Sequence, residues 1–162
     1  METEQTGSAM TVSSDLLKSM QYELMLFSRY QLRPFYHDDP ALERSAYVLL
    51  NRLEPVGPMT LKELSRALRL DTSTIHRQVG MLLRHGHVCY VAGTPGEVAR
   101  RIAPTTAGID ALIATRKVYE EGLNRVVGNW PETKQAQFME LLRDFNQDVE
   151  GLEETSWPRV QE

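Results

Sequence analysis

Two closely spaced helix starts, both between Thr60 and Arg101, constrain the fold of this chain more than any other feature. Thr60 and Glu63 have the spacing of a capping box, in which the hydroxyl and the carboxylate each bond a backbone amide at the helix start. Asp71 is suited to cap a second helix, and a short turn around Arg69 separates the two. Such a short turn is compatible with two antiparallel helices in a bundle, but it favours a helix-turn-helix.

The second of these helices has one apolar side and one polar side. Ile75, Val79, Leu82 and Leu83 fall at i, i+4, i+7 and i+8, which forms one apolar stripe. The polar residues of both helices are short hydroxyls, an amide and cations, groups that can bond phosphates and purine edges in a major groove. The predicted DNA contacts here are Thr60, Thr72, Ser73, Thr74, His76, Arg77, Gln78 and Arg84. The alternative is a small α+β core whose polar face is merely solvated.

A predicted β-hairpin follows the second helix. Gly86 supplies a helix stop, and the segments 87–92 and 98–103 alternate and are rich in β-forming residues. The residues between them, 93–96, read Gly-Thr-Pro-Gly, which is typical of a hairpin loop. A helix-turn-helix followed by a β-hairpin is a winged helix. Arg100 and Arg101 are the wing's candidates for DNA contact, and strand alternation sends them to opposite faces, so we expect only one of them to meet DNA.

Charge is distributed unevenly along the chain. The whole chain carries a net charge of −4, whereas residues 60–101 hold seven Lys and Arg against three Asp and Glu, a net charge of +4. A basic segment in an acidic protein lets the chain bind DNA in one orientation while the remainder repels the duplex. The acidity of the whole chain therefore does not exclude DNA binding.

Outside this stretch the sequence predicts four further amphipathic helices. They begin near Ser13, at Leu42, at Thr105 or Thr106, and just after Pro131, and the second of them ends at Leu53. The stripe of the last helix comprises Phe138, Leu141, Leu142, Phe145, Val149 and Leu152. The long terminal helices are expected to bury their stripes against a second copy of the chain. The alternative is that they pack only on each other.

These elements predict a mainly α-helical fold with one small β-hairpin, arranged as a winged helix-turn-helix plus a helical dimerisation region. The predicted parts are a flexible N-terminus (1–12), the dimerisation region (13–36 and 105–154), the winged helix-turn-helix DNA-binding domain (41–104) and a C-terminal tail (155–162). No apolar run reaches membrane-spanning length and no secretory signal precedes the first helix, so we expect a cytoplasmic protein.

The order of elements and their motifs resemble the MarR family (multiple-antibiotic-resistance-type regulators). The matching pieces are TLKELSRALRLDTSTIHRQVGMLLRHG, the hairpin, and PTTAG at the start of the fifth helix, within about residues 13–154. The resemblance implies a homodimeric transcriptional regulator, most commonly a repressor, that binds a pseudo-palindromic operator in double-stranded DNA. The family's recognition-helix pattern carries over to Ser73, Thr74 and Arg77. The family's wing motif, Asp-x-Arg, is absent from GTPGEVARR.

The resemblance also implies release of DNA by a small-molecule effector. The family's cleft lies between the dimerisation region and the winged helix, and the aromatic and cationic residues of the matching segments would suit a small aromatic ligand. They are Arg29, Tyr30, Arg33, Tyr36, His37 and Tyr47. Ordinary helix packing is the alternative for each.

Other chemistry has little support in the sequence. Cys89 lies in an alternating strand and is expected to be buried as a small apolar residue. His85, His87 and Cys89 alternate, and His37 precedes Asp38 and Asp39, but both groups are weak metal candidates. No catalytic triad, phosphate loop or paired carboxylates occur, so the chain is not expected to be an enzyme or to need a cofactor. The remaining alternative function is a winged-helix protein–protein interaction module without sequence-specific DNA binding.

Overall fold

The computed structural model describes residues 11–30 and 41–159, and the chain divides into two compact units, Met1–Leu32 and Arg33–Glu162. The described part of the first unit is helix α1, Ser14–Arg29, which Ser13 caps by accepting a hydrogen bond from the Leu16 amide at 3.3 Å. The predicted start of this helix is confirmed. None of its sixteen residues is buried, and Phe27 is 58% exposed. Most of the predicted flexible N-terminus, residues 1–12, lies outside the described residues.

The second unit contains five helices and one antiparallel hairpin within its described part. In chain order they are α2 (Arg44–Val56), α3 (Leu61–Leu68), α4 (Thr72–Arg84), β1 (Val88–Val91), β2 (Arg101–Pro104), α5 (Thr106–Val127) and α6 (Glu132–Glu153). The predicted fold class, a mainly helical chain with a winged helix-turn-helix, is confirmed.

Helix α2 differs from its prediction at its C-terminal end. It continues to Val56 instead of ending at Leu53, with Pro55 inside its last turn. Proline has no amide to donate to the carbonyl four residues earlier, so this last turn lacks one backbone hydrogen bond. Gly57 closes the helix, since its amide bonds the Leu53 carbonyl at 2.9 Å while its φ of +90° suits glycine.

The hairpin strands are shorter than predicted, and the wing loop between them is longer. β1 pairs with β2 in the register Val88↔Pro104 to Val91↔Arg101, so residues 92–100 form the loop. A turn that closes with the Glu97 amide bonding the Thr94 carbonyl, at 2.9 Å, takes the chain away from the ladder. Val98 is fully exposed, so its β-propensity has no neighbour to pack against.

The core of the second unit lies under the helix-turn-helix. Side chains from α2, α3, α4, β2 and α5 meet there. The largest fully buried ones are Leu49, Leu50, Leu53, Leu64, Ile75, Val79, Ile102, Leu112 and Thr115. Ile75, Val79 and Leu82 of the predicted α4 stripe are buried and Leu83 packs against them, so the stripe is confirmed. The buried face of α4 therefore fixes which of its residues face solvent.

Helix α6 contributes nothing to this core. None of its 22 residues is buried, and Met139, Leu141, Phe145 and Leu152 are exposed. The residues after it lie against α2, where Arg52 donates to the Ser156 carbonyl at 2.6 Å and its guanidinium lies 5.3 Å from the ring centre of Trp157. The described part of the predicted C-terminal tail thus has defined contacts.

Candidate nucleic-acid interface

Two caps set the geometry of the helix-turn-helix. Glu63 accepts a hydrogen bond from the Thr60 amide at 2.8 Å, and Thr60 Oγ1 accepts one from the Glu63 amide at 3.2 Å, so the predicted capping box is present. The turn passes through Arg69, which has a left-handed φ of 51°, and Ser65 Oγ holds it by donating to the Leu70 carbonyl at 2.6 Å. Asp71 then caps α4. The angle at which α4 leaves the turn is therefore held at both ends.

Asp71 also holds the two hydroxyls at the start of α4. It accepts hydrogen bonds from the Ser73 hydroxyl, the Thr74 hydroxyl at 2.7 Å and the Thr74 amide at 2.8 Å. These bonds, with that from Ser73 the strongest, hold the pKa of Asp71 well below its usual range. An ionised carboxylate only accepts hydrogen bonds, so both hydroxyl protons are committed to it. Ser73 and Thr74, predicted as donors to DNA, therefore reach DNA as acceptors unless they rotate away from Asp71.

The rest of the polar side of α4 is open. Thr72, His76, Arg77 and Arg84 are exposed, and Gln78 is half-buried. Within residues 11–30 and 41–159, the side chains of His76 and Arg77 form no hydrogen bond or ion pair, and the stripe of Ile75 lies on the other side of the helix. Such a face can insert into a groove without breaking an internal contact.

A groove runs from the starts of α3 and α4 to the wing. It encloses about 800 Å³, and its lining includes Lys62 and Arg66 of α3, Thr72 of α4, and Tyr90 and Arg100 of the wing. The guanidinium of Arg100 lies 5.6 Å from the ring centre of Tyr90. The predicted DNA contacts did not include Lys62, Arg66 or Tyr90, although Lys62 and Arg66 are one helical turn apart on the polar side of α3. Three cations along one groove suit a phosphate backbone.

The two wing arginines have different partners. Arg100 is exposed in the groove, whereas the Arg101 side chain is 22% exposed and forms ion pairs with Glu63 at 3.0 Å and Glu97 at 2.9 Å. The bond from the Thr60 amide and the contact with Arg101 lower the pKa of Glu63, and Arg101 lowers the pKa of Glu97. Both carboxylates raise the pKa of Arg101, Glu97 more than Glu63. All three groups are therefore charged at neutral pH.

The predicted ligand residues are only partly described. Arg33, Tyr36 and His37 lie outside the described residues, as do the metal candidates Asp38 and Asp39. Arg29 is the last residue of α1 and Tyr30 caps that helix. In the second unit Tyr47 lies on α2, and its ring centre is 4.7 Å from that of Tyr119 on α5.

Cys89 is exposed, so the prediction that it is buried was wrong. In β1 only Val88 is buried, and alternation places Cys89 on the opposite face of the hairpin from Val88. His85 and His87 stack with ring centres 5.9 Å apart. Across the part of the chain that the structure describes, no three His, Cys, Asp or Glu side chains are close enough to hold a metal ion, and no helix is long and apolar enough to cross a membrane.

A winged helix-turn-helix with an open polar face on its second helix defines a DNA-binding protein of the winged-helix class. YxaD of Bacillus subtilis (strain 168), an uncharacterized HTH-type transcriptional regulator, is 30% identical to this chain over 132 residues, which span 78% of the chain and 90% of YxaD. No protein-family model matches the sequence.

Solved structures share the fold. A MarR family protein from Bacillus stearothermophilus has a TM-score of 0.63 at 22% identity, covering 83% of this chain and 91% of its own. PcaV of Streptomyces coelicolor, solved with its natural ligand, has a TM-score of 0.61 at 17% identity, and the match covers 86% of this chain and 98% of PcaV. MarR of E. coli has a TM-score of 0.63 at 15% identity, and the match covers 83% of this chain and 98% of MarR. This chain therefore belongs with YxaD to the HTH-type transcriptional regulators, and its fold is that of the MarR family structures.

Proposed function

We propose that the chain is a homodimeric repressor that recognises a pseudo-palindromic operator by placing α4 in the major groove. The observation that carries the proposal is the open face of α4, where His76 and Arg77 have no partner within the described residues while Ile75 and Val79 are buried. A recognition helix needs this arrangement, because the core holds one side rigid and the other side reads base edges. Lys62, Arg66 and Arg100 would hold the adjacent phosphates.

The apolar surfaces of α1 and α6 support a dimer. Phe27 on α1 is 58% exposed, and Leu141 and Phe145 on α6 are 66% and 49% exposed. Large apolar side chains repeated along a helix are costly to leave in water, and a second copy would cover them. A twofold dimer would also present two copies of α4 to half-sites about one helical turn apart.

Release of DNA by a small aromatic ligand stays a prediction from the family resemblance. In the described part of the predicted residues, the rings of Tyr47 and its neighbour Tyr119 lie with their centres 4.7 Å apart and their planes tilted by 31°. Aromatic rings favour offset stacking with a flat ligand.

Binding to DNA flanking the chain's own gene tests the function. We expect a labelled duplex from that region to bind at least a hundredfold more tightly, by order of magnitude, than a scrambled duplex of equal composition. Fluorescence anisotropy at one fixed salt concentration measures both affinities, and the slope of a salt series then counts the phosphates that the protein neutralises. Equal affinity for the two duplexes across the whole flanking region would argue for the protein–protein interaction module instead.

Assembly gives a second prediction. Phe145→Asp places a charge on the exposed apolar side of α6, and burying it without a partner in both copies is expected to weaken the dimer by roughly a hundredfold. Gln147→Asp is the matched control, because residue 147 is exposed and lies on the other side of the same helix. Sedimentation equilibrium should show monomers for the first variant and dimers for the second, with equal helix content. A folded, monomeric wild-type protein at micromolar concentration would refute the dimer.

A further inference from the structure

The guanidinium of Arg101 uses all of its hydrogen-bond donors inside the protein. Its Nε donates to Glu97 Oε2 at 2.9 Å, and Nη2 donates to Glu97 Oε1 at 2.9 Å and to Glu63 Oε1 at 3.3 Å. Its Nη1 donates to Glu63 Oε2 at 3.0 Å and to the Pro58 carbonyl at 2.9 Å. Since a guanidinium has five N–H groups, none is left for a phosphate or a base.

The two carboxylates that Arg101 binds hold different parts of the molecule. Glu63 accepts from the Thr60 amide at 2.8 Å, which ties it to the start of α3. Glu97 accepts from the Thr94 amide at 3.1 Å and from the Thr94 hydroxyl at 3.3 Å, which ties it to the wing loop. Arg101 therefore joins the wing loop to the first helix of the helix-turn-helix, and both of these elements line the groove that contains Arg66 and Arg100.

We propose that Arg101 is a positioning residue for DNA binding: it fixes the wing loop against α3 so that Arg100 meets the duplex, and it does not contact DNA itself. The proposal rests on the proposed DNA-binding function. Its chemistry requires an arginine, because a planar fork can bond two carboxylates and a carbonyl at once, whereas a lysine ammonium is a single point charge with three donors.

The first test needs no DNA. In the wing loop, the Thr94 amide donates to Glu97 Oε2 and the Glu97 amide donates to the Thr94 carbonyl. Arg101→Gln should release the loop, so both amide hydrogens should exchange with solvent at least about fivefold faster. Arg100→Ala is the matched control and should leave both exchange rates unchanged. Unchanged exchange in Arg101→Gln would overturn the proposal whether or not the protein binds DNA.

The second test is a double-mutant cycle on DNA. The probes are a random-sequence duplex and a duplex from the region flanking the gene, and the variants are Arg100→Ala, Arg101→Gln and the two combined. If Arg101 acts through the wing, the double variant should bind no more weakly than the weaker single variant, because neighbouring residues that share one role are not additive. Additive losses would mean that Arg101 makes its own contact and would overturn the proposal.

One further substitution is expected to reverse the usual sign of a charge effect. Glu97→Ala removes a negative charge near the DNA and would tighten binding if it freed Arg101 for a phosphate. Here it should weaken binding about as much as Arg101→Gln does, because it releases the same loop.

Arg101→Lys should fail to restore binding, whereas Arg100→Lys should keep it. Tighter binding by Glu97→Ala, or full rescue by Arg101→Lys, would contradict the proposal. Failure of the wild-type protein to bind any duplex would refute the DNA-binding function, and the exchange test would still decide the role of Arg101.

Discussion

Gly108→Ala is expected to destabilise the protein by about 2–4 kcal/mol, because the first turn of helix α5 lies against the backbone of His87, the residue just before β1. A Cβ at this position would lie 2.0 Å from the carbonyl oxygen of His87 and 2.9 Å from its carbonyl carbon. That oxygen already accepts the Thr105 amide at 3.0 Å, and the neighbouring Val88 pairs with Pro104 in the hairpin. The strand can therefore move away from the methyl group only by breaking these contacts.

Gly151→Ala is the matched control for this substitution. It changes another helical glycine, but nothing lies within 4 Å of the Cβ that it would add to α6. Alanine there should stabilise the helix by about 0.5–1 kcal/mol, since glycine has more backbone freedom to lose. Urea unfolding at a fixed protomer concentration measures both variants. If the urea unfolding midpoint of the Gly108→Ala variant equalled that of the wild type, α5 and β1 would not be in close contact.

Arg77→Lys is expected to lose about 1–3 kcal/mol at each half-site of the operator while binding random DNA almost unchanged. Arg77 is exposed on the open side of α4, where a guanidinium can bond O6 and N7 of a guanine together. Lysine keeps the charge but cannot reproduce the paired geometry. A dimer would suffer this loss twice, so the total would reach about 2–6 kcal/mol.

The control for Arg77 lies on the same helix. Arg84 is exposed in the last turn of α4, where charge alone can serve a phosphate, so Arg84→Lys should bind both duplexes as the wild type does. Each variant is titrated on the operator and on a scrambled duplex at one salt concentration. Equal weakening of Arg77→Lys on both duplexes, or no weakening, would make Arg77 a residue that positions the backbone and not one that reads a base.

The local features of the helix-turn-helix could be predicted from the sequence because their partners are close in the chain. Thr60 and Glu63 are three residues apart, as are Asp71 and Thr74, so the residue types and their spacing suffice to predict each cap. The buried stripe of α4 follows from the helical period in the same way. The fold class and the polar side of α4 could therefore be predicted from such short-range patterns.

Cys89 and Pro55 show where the sequence was not enough. The alternation of β1 predicts two faces, but only the packing of the hairpin decides which face a helix covers, and it leaves Cys89 exposed. Proline favours a helix end just before it, yet α2 includes Pro55 in its last turn. For Cys89 the decision depended on neighbours that the local pattern does not contain.

The partners of Arg101 were decided by the tertiary structure alone. Its sequence neighbours make it equivalent to Arg100, and both were predicted as candidates for DNA contact. Its partner Glu63 lies 38 residues away, and the two meet only because the core brings the start of α3 next to the hairpin. Short-range hydrogen bonds and periodicity therefore determined the helices and their faces, whereas long-range packing determined which cations remain free to meet DNA.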